Sequence, residues 1–176
     1  MGDRCQIVIE DAKLTIYRHD NGSPDGPCGF LAVVLPVIQK VTVLRGWDTF
    51  YLAAQITGLL VSRIHSAMDE CKAAILKGNP NANVKTYEDA KLCGVGIQRF
   101  TGEFHGDESH IYIVKSDQVE IRIPLNDPKH NFWEYPKLEN TKVLRVVNFD
   151  GSPARRRSKK TKHRQATTRS RRSIEG

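Results

Sequence analysis

The sequence predicts an α+β domain: a mostly antiparallel sheet of about five or six strands with one long and one shorter helix on one face, in the order ββααβββ(β). Three observations predict it. Residues 5–19 alternate with period two on both sides of a short polar turn. Residues 48–78 carry apolar side chains at spacings of three and four. Period-two segments return after residue 93, joined by short turns, and hairpin connections of this kind make antiparallel neighbours.

In the first segment Cys5, Ile7 and Ile9 alternate with Gln6, Val8 and Glu10, and Leu14, Ile16 and Arg18 alternate with Thr15, Tyr17 and His19. Asp11-Ala12-Lys13 turns one into the other as a β-hairpin. Residues 19–29 hold three Gly and two Pro, which suits a turn-rich loop and no regular element. Phe30 to Leu44 is apolar and helical over part of its length, and Pro36 must start a helix or kink one. Asp48 is a good N-cap. From there Leu52, Ile56, Leu60, Ile64, Ala67, Cys71 and Ala74 mark one face of a helix of about 29 residues, on the order of 43 Å long. Gly78 stops it, and Gly58 inside it implies close packing against a neighbour.

Residues 79–91 are polar and read as a loop or a short turn of helix. Cys93–Phe100, His110–Val114 and Val119–Ile123 read as strands, the last two joined at Ser116-Asp117-Gln118. Phe132, Trp133 and Tyr135, flanked by Pro128 and Pro136, suit an aromatic plug at a core edge better than a base-stacking clamp. Lys142–Phe149 alternates again as an edge strand. The four cysteines form no C-x-x-C pair, which suits free, mostly buried thiols in a reducing compartment. No run of 18 apolar residues exists, so no membrane span is expected, and the N-terminus lacks the layout of a secretory signal.

Charge divides the chain in two. Residues 151–176 carry ten basic side chains and one acid, Glu175, leaving 17 of the 27 basic and 19 of the 20 acidic residues in 1–150. One near-neutral globular domain, 1–150, is expected to bear a disordered basic tail, 151–176, whose composition cannot offset its ordering entropy. The tail cations are Arg155, Arg156, Arg157, Lys159, Lys160, Lys162, Arg164, Arg169, Arg171 and Arg172. With no aromatic among them they suit the phosphates of DNA or RNA in a sequence-independent way. An anionic membrane surface, a solubilising extension or a nuclear localisation signal are the alternatives for such a run.

Tyr17-Arg18-His19-Asp20-Asn21-Gly22-Ser23-Pro24-Asp25-Gly26 resembles the Y-R-H-x-D-G-Y-P-x-G segment of a group of small phage and prophage proteins. Arg4-Cys5-Gln6-Ile7 is similar to that group's opening, and Gly106–Val114 to its late G-D-x-E-Y-x-Y-x-V strand. The resemblance implies a phage-encoded accessory protein of the host cytoplasm, and it implies no activity. The group's Asp stands at Asn21 here and its Tyr at Ser23; an amide cannot serve as a general base.

Two loops hold the candidate ligand-binding residues. Tyr17, Arg18, His19, Asp20, Asn21 and Asp25 lie in or beside the first; His105, Asp107, Glu108 and His110 form the second. Structural turns account for the first loop best, with Asx-turns at Asp20 and Asn21 and positive φ at Gly22 and Gly26. Were the two loops to meet, they would form a pocket for a phosphorylated small molecule or nucleotide signal, or a metal-dependent hydrolase site. No catalytic residue, metal ligand or cofactor is assigned: H-E-x-x-H, G-x-S-x-G, Walker A and dinucleotide-binding patterns do not occur. The expected function is a non-catalytic accessory binding protein.

Overall fold

The computed structural model describes residues 3–104, 109–125 and 137–154. It is an α+β fold with a six-stranded sheet. Strands β1 (Cys5–Ile9) and β2 (Leu14–Arg18) form the expected hairpin, and helices α1 (Phe30–Val33), α2 (Leu35–Arg45), α3 (Thr49–Gly78) and α4 (Lys85–Cys93) follow. Strands β3 (Val95–Arg99), β4 (His110–Val114), β5 (Gln118–Pro124) and β6 (Thr141–Asn148) complete the sheet, with a 3-10 turn at Leu138–Asn140. Its order is β3-β2-β1-β4-β5-β6. Four of its five pairings are antiparallel, and β1 with β4 is parallel.

That parallel pair places β1 at the centre, with every residue buried. Alternation then divides the sheet's faces. Cys5, Ile7, Ile9, Ile16, Tyr112, Val114, Val119, Ile121 and Val147 pack under helices α1 to α3, against Phe30, Val34, Ile38, Leu52, Ile56 and Leu60. Each such side chain contributes about 1.5–3 kcal/mol on burial. On the opposite face Val8, Ile111 and Ile113 gather with Phe104, Phe100 and Leu138.

Helix α3 starts where the sequence places it. The Asp48 side chain accepts from the Tyr51 backbone N–H at 3.1 Å, and its 30 residues run to Gly78. Its buried residues, Leu52, Ala53, Ile56 and Leu60, lie in the first half. Pro36 sits in the first turn of α2, where its missing N–H costs nothing. Among the described residues no helix is long and apolar enough to cross a membrane.

Four expectations change. Cys93 closes helix α4, so the strand begins at Val95. Of the two readings of the polar 79–91 stretch, the helical one holds over Lys85–Cys93, which docks on α3, where Lys91 pairs with Asp69 at 2.5 Å. Gly58 does not face a close neighbour: a Cβ there would meet nothing within 4 Å, and the glycine opens a groove between α2 and α3. The thiols are not mostly buried, since Cys28 and Cys71 are exposed and Cys5 alone of the three described is buried. The short second helix is also two segments, α1 and α2, and α4 adds a further one. The Phe132–Tyr135 aromatics lie outside the described residues.

Candidate functional site

The turn-rich loop folds back over one end of the sheet. Asn21 adopts φ 56°, and the Gly22 N–H donates to the Asp3 carbonyl at 2.5 Å. A Cβ at Gly22 would stand 2.6 Å from backbone atoms of Asp3 and Arg4, so only glycine allows this approach. The loop's exit is tied by Phe30 N–H to Ser23 O at 2.9 Å and by Leu31 N–H to Pro24 O at 3.0 Å.

Beneath the loop the register aligns Val95, Arg18, Cys5 and His110 in one row across β3, β2, β1 and β4. Arg18 is 5% exposed, and its Nη2 donates to the Cys28 carbonyl at 3.1 Å. Two residues further along β4, Tyr112 is fully buried; its hydroxyl donates to the Gly22 carbonyl at 2.6 Å, and its ring stacks on Phe30 at 3.9 Å and 5°. The loop is thus pinned from below by a guanidinium, a phenol and an aromatic stack. Burial pushes the Tyr112 hydroxyl well above the usual phenol range, with the thiol of Cys5 and the Asp3 carboxylate adding to it. The hydroxyl therefore serves as a fixed donor, not as a base.

His110 stands at the end of the same row. Its Nδ1 lies 3.2 Å from the Ser109 hydroxyl, which itself donates to the Arg4 carbonyl at 2.8 Å. Burial holds the imidazole pKa below its usual value, against the opposing pull of Asp3 and Asp25. Asp25 is exposed and pairs with Arg145 of β6 at 3.0 Å.

Tyr17 and His19 point to the other side of β2. The Tyr17 hydroxyl and His19 Nδ1 are 3.1 Å apart, with the rings edge-on at 6.2 Å. His19 N–H also donates to the Gly94 carbonyl at 3.0 Å, which extends the β2–β3 ladder by one residue. Asp20 and Asn21 are exposed at the bend.

The first loop's candidates therefore divide between the two faces. Arg18 lies with the His110 row and Asp25 within its electrostatic reach, while Tyr17 and His19 lie on the far face. His105, Asp107 and Glu108 fall outside the described residues, as do all ten tail cations. Among the described residues no group of three His, Cys, Asp or Glu could hold a metal ion. Sequence reading missed Tyr112 and Arg145 as neighbours of this loop. They come from β4 and β6, and no local pattern announces a partner 90 or 120 residues away in the chain.

No family model matches this chain, and no solved structure matches it. Among curated proteins, a 102-residue stretch, 57% of the chain, is 28% identical to part of the E3 ubiquitin-protein ligase RNF8 of Rattus norvegicus. The chain spans 19% of that ligase. So short and distant a likeness assigns no family.

Proposed function

We propose that the chain is a non-catalytic, phage-type accessory protein whose basic tail docks on nucleic-acid phosphates without reading base sequence. One observation carries this reading: ten Lys or Arg fall within residues 155–172, beside a body in which acids slightly outnumber bases. A polycation of this kind displaces condensed counterions from a nucleic acid, and affinity then falls steeply with salt. The loop geometry supports a binding role over catalysis. Arg18, Tyr112 and Gly22 hold backbone together, and His19 is engaged by Tyr17.

The test is a mobility-shift titration of the full chain against a chain whose ten tail cations are replaced by Gln. If eight cations engage duplex DNA, the plot of log K against log salt slopes by roughly −7. The neutralised tail should flatten that slope and cost most of the affinity. Equal binding and equal slopes for the two proteins would refute the tail's role. An RNA probe run in parallel decides between the two nucleic acids.

A further inference from the structure

The outer surface of the helical layer holds a groove that the fold leaves open. It runs between α2 and α3 and has a volume of about 690 Å³. Along α2 it is lined by Val37, Val41 and Leu44, a stripe at spacings of four and three. Along α3 it is lined by Ala54, Gly58 and Ser62, three small residues spaced by four and all exposed. A Cβ at Gly58 would meet nothing within 4 Å, so the space above it is open. Leu44 is 71% exposed although it lines this groove. A leucine left in water forgoes the stabilisation of burial, and a partner that covers it recovers that term.

Shape and charge identify what fits. From Tyr51 to Ser62 the groove follows α3 for about 16 Å, roughly three helical turns. A helix laid there meets an apolar stripe on one wall and small side chains on the other, and small side chains let two helix axes come close. The charge is one-sided. Two cations, Lys40 and Arg45, line the groove, and no carboxylate does. Neither cation makes an ion pair among the described residues. The Arg45 guanidinium is held in place 4.4 Å from the centroid of the Tyr51 ring, which also lines the groove. Asp48, close by in sequence, is engaged as the cap of α3, and Asp69 and Glu70 lie about two turns beyond Ser62.

Two other occupants fit this charge less well. The chain's own tail is cationic and is repelled by Lys40 and Arg45. A second copy docking through the same groove would set its own Lys40 and Arg45 against this pair.

We propose that the α2–α3 groove docks an acidic amphipathic helix of a partner protein. The partner's apolar residues, at spacings of three and four, cover Leu44 and the valines beside it and lie over Gly58. Its carboxylates pair with Lys40 and Arg45. The surface is separate from the tail, and each stands or falls without the other.

Fluorescence anisotropy tests this with a defined probe, a labelled peptide of about 14 residues with Leu at helical spacing on one face and Glu and Ala elsewhere. A scrambled peptide of the same composition and a peptide with Lys in place of Glu are the controls. The full-length chain with its ten tail cations replaced by Gln is titrated beside the natural chain, which separates docking from attraction of Glu to the tail. The neutralised-tail chain should bind the acidic amphipathic peptide, and bind both controls about tenfold more weakly or worse. In that background Gly58→Leu fills the groove and should weaken binding by more than about tenfold. Its Tm should hold or rise, because Leu is the better helix former at this exposed position. Lys40→Gln with Arg45→Gln should weaken binding by about tenfold, and Lys77→Gln, far along α3, should leave it unchanged. Binding that disappears with the tail cations overturns the proposal, as does binding that survives Gly58→Leu or is equal for the Lys peptide. A dimer in light scattering that Gly58→Leu abolishes assigns the groove to a second copy, and overturns it too.

Discussion

The two faces of the sheet treat buried polar groups differently. Under the helices Tyr112 and Arg18 each reach a backbone carbonyl of the 19–29 loop, at 2.6 and 3.1 Å. On the opposite face Gln6 is fully buried and neither of its amide atoms has a partner among the described residues, and the same holds for the buried Thr15 hydroxyl. The two sets come from adjoining strands of one sheet: Tyr112 from β4 and Arg18 from β2 on one face, Gln6 from β1 and Thr15 from β2 on the other. What separates them is the loop: it brings carbonyls down onto one face, and no described segment does so on the other. A polar side chain inside this fold thus stabilises or destabilises according to what a distant stretch of chain offers it.

The comparison can be broken most forcefully at Phe30, which anchors the loop's exit and stacks on Tyr112. Phe30→Ala should cost about 3–5 kcal/mol through lost burial and the cavity left behind, read by urea denaturation. A loss below ~1 kcal/mol would mean that the stack does not hold the loop.

Gln6 predicts an effect of opposite sign on the other face. Gln6→Met, close in volume, should raise stability by about 1 kcal/mol, because it removes two buried groups that have no partner among the described residues. A clear loss of stability would show that the amide has a partner in solution.

The smallest effect concerns pH. The His110 pKa is lowered in the folded chain, chiefly by burial. The unfolded chain therefore takes up a proton that the folded chain refuses. This contribution to stability is complete above the unfolded value of about 6.5 and is lost as pH falls from there toward the folded pKa. Melting at pH 7.5 and 5.5 should show a narrower difference for His110→Gln than for the natural chain. At lower pH Glu120 takes over. Burial raises its pKa, but Lys115 at 2.5 Å and Arg122 at 2.8 Å outweigh burial and hold it below the usual range. Its contribution is present above about 4.5 and is lost as pH falls through the lowered value.

Much of this was legible in the chain itself. Alternation at 5–9 and 14–18 defined the hairpin, and Asp48 with the three-and-four spacing defined α3, because each is a local property of backbone period and capping. The division of charge between body and tail is read directly from composition. Local signals failed where a neighbour decides the outcome. Cys93 looked like strand, and the polar stretch before it stood open between loop and a short turn of helix until α3 gave it a surface to dock on; Gly58 turned out to open a groove instead of filling one.

Sequence alone settled the β1–β2 hairpin, the start and length of α3 and the run of tail cations, since periodicity, caps and charge runs act over a few residues. Tertiary structure alone decided that β1 and β4 run parallel at the centre of the sheet, and that Tyr17 and His19 part company with Arg18 and His110. Side-chain direction in a strand reverses with every residue, and which charges meet depends on contacts between segments far apart in the chain.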